Sequence, residues 1–264
     1  MELTHVGWAL LALAAVIIGI SKTGFPGMGI LAIPLVAIVV DPKLSTGLIL
    51  PMLLLGDVMA VAYYRRHAVW KYLVKLLPCA MVGIVVGNFF LARVNGQQLK
   101  PLIGAIILVM MALNAWRNRR MARAGDIRLP EGWWFAIVMG VLAGITTMMA
   151  NAAGPIMVIY LLAMRLPKEA FIGTGAWCFL ILNAFKIPFS RYQGLVSLDS
   201  LYLNAAMAPV IISGGFAGLW IARRVPEKSF AWIVHLLAAV AGVVFVLSPW
   251  LPPVPWVMHA GAHG

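Results

Sequence analysis

The chain has 264 residues, 63% of them hydrophobic and only 11% charged, with a mean hydropathy of +0.97. A soluble domain carries about a quarter charged residues, so the composition excludes one and predicts an all-α polytopic membrane protein; the apolar runs are continuous, which also excludes the alternating pattern of a β-barrel. The formal net charge of +12 has no basic soluble domain to carry it, which excludes a nucleic-acid site, and twelve of the twenty Lys and Arg residues fall in three short connections.

Ten apolar segments follow in chain order, at approximately 6–21, 26–40, 44–63, 72–92, 98–116, 133–149, 152–164, 171–188, 200–222 and 229–250. Met1–Ile20 lacks a Lys or Arg ahead of its apolar stretch and a convincing small-residue cleavage site, so it reads as the first membrane helix. That helix stops at Gly19-Ile20-Ser21-Lys22-Thr23-Gly24-Phe25-Pro26-Gly27, and an apolar run restarts. The restarted segment, 26–40, has 15 residues. At 1.5 Å per residue it spans about 22 Å, short of the ~30 Å hydrocarbon core. The opening pair is therefore a hairpin dipping into the membrane or two bent crossings, and returns to its starting side in either case. Segment three carries Asp57 and ends in the basic group Arg65, Arg66, Lys71 and Lys75. The linker 117–130, with Arg117, Arg119, Arg120, Arg123 and Arg128, separates a first membrane repeat (1–116) from a second (131–251). The second half opens with the same interruption, at Gly144-Ile145-Thr146-Thr147-Met148-Met149-Ala150-Asn151-Ala152. Arg223, Arg224 and Lys228 form the third basic connection, and the tail 252–264 reads as irregular. Cys79, Cys178 and His235 lie inside apolar runs and read as packing residues.

The halves align on each other. At an offset of 125, Gly19, Ile20 and Gly29 meet Gly144, Ile145 and Gly154, Ser21 meets Thr146, and Pro42-Lys43 meets Pro167-Lys168. At 126, Asp57 meets Asn183 and Arg65 meets Arg191; at 131, Pro78, Gly83, Gly87 and Arg93 meet Pro209, Gly214, Gly218 and Arg224. Five segments per half is an odd number, so the second half enters the membrane from the opposite side. Charge agrees: the loop after segment three is basic in the first half and nearly neutral in the second, and the bias reverses after segment four. The positive-inside rule then places both termini outside the cytoplasm. Inverted repeats are a common build of secondary transporters, which bind substrate near the midplane at broken helices.

Lipid cannot satisfy unwound backbone, so each break must face protein or a wet cavity. A helix restarting there presents free N–H groups and the positive end of its dipole, with Pro26 at the first helical position and Pro155 after Gly154 in the mirrored region. Two such ends facing one cavity would bind a small anion. The candidate substrate-binding residues are Ser21, Lys22, Thr23, Gly24 and Gly27 at the first break, Thr146, Thr147, Asn151 and Gly154 at the second, and Asn183 and Lys186 on segment eight. The bland alternatives are that the polar residues cap interrupted helices and that the lysines snorkel to an interface. Asp57 reads either as a protonatable group coupling transport to a proton gradient or as a hydrogen-bonded or ion-paired structural carboxylate. A lone carboxylate argues against a metal cation as substrate. No His-Glu-x-x-His, clustered carboxylates or Ser/His/Asp set lies at membrane depth, which argues against an enzyme, and no cofactor is called for.

The stretch Gly19 to Leu35 resembles the glycine-rich opening motif of the sulfite exporter TauE/SafE family of bacterial permeases. Ala150-Asn151-Ala152-Ala153-Gly154-Pro155, Tyr160-Leu161-Leu162, Leu166-Pro167-Lys168, Gly173-Thr174 and Asn183 through Lys186-Ile187-Pro188 look like the family's second repeat. Ala152 and Ala153 depart from its second glycine cluster. The resemblance implies a multi-pass protein of the bacterial inner membrane that transports a small anion such as sulfite or a sulfonate. Its partners would be that anion and the lipid bilayer, with a homo-oligomer left open. The alternatives are an uncoupled anion channel and, further off, an intramembrane enzyme or structural membrane protein.

Overall fold

The computed structural model describes residues 3–95, 132–164 and 166–224, with isolated positions between 98 and 112. The linker 117–130, segment ten with His235, Lys228, the tail 252–264 and most of segment five lie outside the described residues.

Helix α1 (His5–Thr23) starts where Thr4 accepts the Gly7 N–H on its hydroxyl at 3.1 Å. It stops where the Gly24 and Phe25 N–H groups both turn back to the Ile20 carbonyl. The chain then turns through Gly27, whose φ of +99° suits glycine, into a 3-10 turn (Met28–Leu31) and the short helix α2 (Ala32–Val39). Pro26 thus lies in the turn rather than at the first helical position, because the chain still has to reverse at Gly27 before it can coil again. Helix α3 (Pro42–Tyr64) begins under an Asp41 cap that accepts from Lys43 and Leu44, with Pro42 at its first position. A 3-10 turn (Arg65–His67) leads to α4 (Trp70–Arg93).

In the second half, α5 (Trp133–Ala150) ends at Asn151, the one non-glycine residue with positive φ (52°) among the described residues. The Asn151 N–H bonds to Thr147 O at 3.0 Å and the Ala152 N–H reaches back to Thr146 O at 3.2 Å, a left-handed C-terminal cap that satisfies the last carbonyls. Helix α6 (Gly154–Ala163) follows, then α7 (Lys168–Tyr192) and α8 (Leu198–Arg224). Six helices among the described residues are long and apolar enough to cross a membrane: α1, α3, α4, α5, α7 and α8. Helices α2 and α6, of 8 and 10 residues, are not. No strand occurs among the described residues.

Without water to drive helices together, membrane packing depends on close backbone approach, which small residues permit. The principal pairs are α1 with α8, α4 with α5, and α3 with α7. A Cβ on Gly19 would collide with the backbone of Ile211, Gly214 and Gly215; one on Gly144 would collide with Ala80, Gly83 and Ile84. These are the same positions, shifted by 125 on one side and 131 on the other. Gly87 likewise abuts Ile145 as Gly218 abuts Ile20, and Gly83 abuts Val141 as Gly214 abuts Val16. One core cluster joins α1, α2, α3 and α8, and another joins α4, α5, α6 and α7 together with residues of the first break and Ile33 and Ala37 on the other side of α2. Each bundle therefore holds the first three helices of one half and the fourth of the other.

Candidate functional site

The two chain breaks meet. A Cβ on Gly154 would stand 3.1 Å from the Gly27 Cα, so the start of α6 rests directly on the first turn. Between them lies a cavity of about 50 Å³, measured as the space open to water centres. That is several times the minimum a cavity needs to admit water.

Eight of the twelve residues singled out in the sequence line this cavity: Ser21, Lys22 and Gly27 from the first break, Asp57 from α3, Thr147, Asn151 and Gly154 from the second break, and Asn183 from α7. Ser21 accepts the Gly29 N–H on its hydroxyl at 2.7 Å, which ties the end of α1 to the 3-10 turn. Lys22 places its ammonium 2.7 Å from Asp57 Oδ1 and 4.4 Å from the centre of the Phe179 ring. Asp57 is fully buried, and its other oxygen accepts from Asn183 Nδ2 at 2.7 Å. The carboxylate is thus ion-paired and hydrogen-bonded, which fits either role the sequence left open for it.

Lys186 stands behind the cavity wall, 2% exposed. Its ammonium donates to Thr147 O at 3.0 Å, to Thr147 Oγ1 at 3.2 Å and to Asn151 Oδ1 at 2.6 Å, which uses all three of its protons. Asn151 in turn donates from Nδ2 to Thr46 O at 3.0 Å. Both lysines turn into the bundle rather than out to its surface. Lys22 and Asp57 neutralise each other, while Lys186 faces neutral oxygens and has no carboxylate within ion-pair distance among the described residues. A lysine buried among neutral oxygens is costly to charge unless an anion offsets it.

Three predicted residues do other work. Thr23 donates to Gly215 O at 2.7 Å and to Gly19 O at 3.1 Å, and its carbonyl accepts from the Tyr64 hydroxyl, so it fastens α1 to α8 and α3. Gly24 sits against Gly218 in the same seam. Thr146 turns back to its own helix at Leu142 O (2.8 Å) and Ala143 O (3.3 Å). The side of each break that packs and the side that faces the cavity alternate along one helical turn, which residue type alone does not reveal.

The sequence reading missed Phe179, Leu53, Ile172, Gly175 and Ala176 on the cavity wall. They are ordinary apolar residues of membrane helices. Leu53 and Phe179 do share the offset of 126 that pairs Asp57 with Asn183, which is a signal that was available. No group of three His, Cys, Asp or Glu residues able to hold a metal ion occurs among the described residues. Both cysteines are free thiols, and Cys178 packs its sulfur 3.8 Å from that of Met157.

Broken helices meeting at a polar cavity inside a bundle of apolar helices is transporter architecture, and comparison with known families agrees. Residues 11–245 match the profile described as Sulfite exporter TauE/SafE. The chain belongs to this family. It is a multi-pass transporter of the bacterial inner membrane. The match includes both breaks of this TauE/SafE protein and every cavity residue described above. No curated protein and no solved structure matched the chain.

Proposed function

We propose that this protein carries a small oxyanion, such as sulfite or a sulfonate, across the membrane by alternating access around the cavity at the two breaks. The single observation that carries the reading is the placement of two lysines: Lys22 lines the cavity, and Lys186 lies one hydrogen bond behind it with no carboxylate in ion-pair distance among the described residues. A small anion entering between Gly27 and Gly154 gains the start of α6, with its free N–H groups and dipole, and the nearby Lys186 behind Asn151. The family match favours the same substrate class.

The repeat supplies the motion. The exchange of packing partners between Gly19 and Gly144, and between Gly83 and Gly214, supports two structurally equivalent halves. Charge supports their inversion. The end of α1 lies beside Gly215 and Gly218 toward the Arg224 end of α8, on the same face as the Arg65–His67 turn, and this is the face the positive-inside rule assigns to the cytoplasm. Both termini would then lie outside. Two inverted halves can rock against each other around a fixed midplane site.

Asp57 is the proton-coupling residue in this reading. Protonating it would release Lys22 from the 2.7 Å pair, and Lys22 could then turn its charge to the anion. The alternative is an uncoupled anion channel with the same site, in which Asp57 only holds Lys22 in place.

Thermal-shift screening of the detergent-purified protein tests the substrate class. Sulfite, sulfate, sulfonates, carboxylates, phosphate and chloride are compared with neutral and zwitterionic solutes. A ligand at about 100 times its Kd stabilises the fold by about 2.7 kcal/mol. Selective stabilisation by one oxyanion class supports the reading, and stabilisation only by neutral or zwitterionic solutes removes it.

A further inference from the structure

The cavity is symmetric at its centre and lopsided at its edge. Five pairs of residues related by the internal offsets contribute both members to the wall: Lys22 and Thr147, Pro26 and Asn151, Gly29 and Gly154, Leu53 and Phe179, Asp57 and Asn183. Beyond them the wall continues along Ile172, Gly175 and Ala176 on the first half of α7. Gly47 and Gly173 fix the register here: each abuts backbone near the end of the other long helix, at Leu195 and Tyr64. The counterparts of Ile172, Gly175 and Ala176 on α3 are then Thr46, Ile49 and Leu50. Both sets are buried, Ile172 and Ala176 at 3% and 5% exposure and Thr46, Ile49 and Leu50 at 5%, 1% and 1%, but only the α7 set reaches the cavity. The second break closes over the α3 set, through the 3.0 Å bond from Asn151 Nδ2 to Thr46 O. The counterpart of Asn151 is Pro26, which has no side-chain donor with which to close the Ile172 side.

We infer that Thr46, Ile49 and Leu50 form the other half of the translocation path, sealed in this state and opened when the two repeats exchange conformations. The cavity seen here extends toward the face that bears the Arg65–His67 turn, because that turn follows α3 beside the start of α7. In the exchanged state the extension runs along the first half of α3 toward the opposite face. Ile172, Gly175 and Ala176 are then covered, and the bond between Asn151 and Thr46 is broken. The inference rests on the alternating-access reading and adds which residues line each arm of the path.

Cysteine labelling on the full chain tests it. Cys79 and Cys178 are first replaced by alanine, and the background is retained only if its melting temperature and anion flux match the native protein. Ala176→Cys and Leu50→Cys are then introduced separately, with Ile49→Cys as a second probe should Leu50→Cys fail to fold. A membrane-impermeant maleimide is applied to right-side-out and inside-out vesicles with methanesulfonate on both faces. Ala176→Cys is expected to react from the face of the Arg65–His67 turn only, and Leu50→Cys from the opposite face only. A Leu50→Cys and Ile49→Cys pair that reacts from neither face, or from the same face as Ala176→Cys, overturns the inference: the asymmetry is then a fixed consequence of glycine and alanine on α7 against isoleucine and leucine on α3. Flux measured in parallel separates the two ideas. Transport with unreactive probes leaves the proposed function standing without this path, whereas opposite-face labelling without anion flux leaves the path standing without the proposed substrate.

Discussion

Asn183 Nδ2 donates to Asp57 Oδ2 at 2.7 Å, and these are the two residues that the internal alignment pairs at an offset of 126. Equivalent residues of two repeats touch only where a pseudo-two-fold axis passes between them. In the inverted-repeat reading proposed above, the bond would put that axis at the wall of the cavity, beside Lys22. The repeats also differ here in a useful way. An Asp in one half and an Asn in the other give a matched acceptor and donor, which two aspartates could not.

Lys22→Ala is expected to destabilise the protein strongly, because it strands Asp57 fully buried and unpaired. Breaking a buried ion pair from one side costs about 3–5 kcal/mol. Lys22→Ala combined with Asp57→Asn should recover most of that loss, since no charge is then left behind. Melting temperatures of the two single variants and the double variant in one detergent give the cycle. Additive losses would mean that the pair seen at 2.7 Å is not coupled in the membrane protein.

Asp57→Asn separates coupled transport from a channel. Retained flux that no longer responds to a pH gradient is the expected result, measured in vesicles with the gradient imposed and collapsed. Unchanged gradient dependence removes Asp57 from coupling and leaves it as the anchor of Lys22.

Gly19→Val and Gly144→Val should cost similar stability, since both glycines meet helix backbone at equivalent positions of α8 and α4. Overpacking of this kind costs about 1–3 kcal/mol or more. Thermal melting compares them. A large loss for one and none for the other would contradict the structural equivalence of the halves.

Much of the fold was legible in the sequence. The predicted segments 44–63, 72–92 and 133–149 fall within a few residues of α3, α4 and α5, because length, apolarity and terminal signals such as Asp41-Pro42 act locally. Both breaks were legible for the same reason, through Gly27 and through Asn151 ahead of Gly154-Pro155. Side-chain direction was not. Thr23 and Thr146 look like Ser21 and Thr147 in the sequence, but the first pair bonds to helix backbone and the second faces the cavity. That distinction is set by the rotation of α1 against α8 and of α5 against α4. Nor could the sequence say which cation meets Asp57, since it bears Lys and Arg residues on several segments. Only the crossing of α1 over α3 near Gly56 brings Lys22 to it.

The central claim is that an anion is bound and moved at the cavity between the two breaks, and flux through Asn151→Gly tests it most directly. Glycine keeps the left-handed backbone that Asn151 adopts at φ 52° but removes the amide that joins Lys186 to Thr46. The lost hydrogen bonds should cost about 1–3 kcal/mol of stability, so the variant is expected to fold. In proteoliposomes of purified protein, the native chain should give saturable flux of sulfite or a sulfonate, and Asn151→Gly should give none above empty liposomes. Native-level flux in a folded Asn151→Gly protein, or no saturable oxyanion flux by the native chain, would contradict the account.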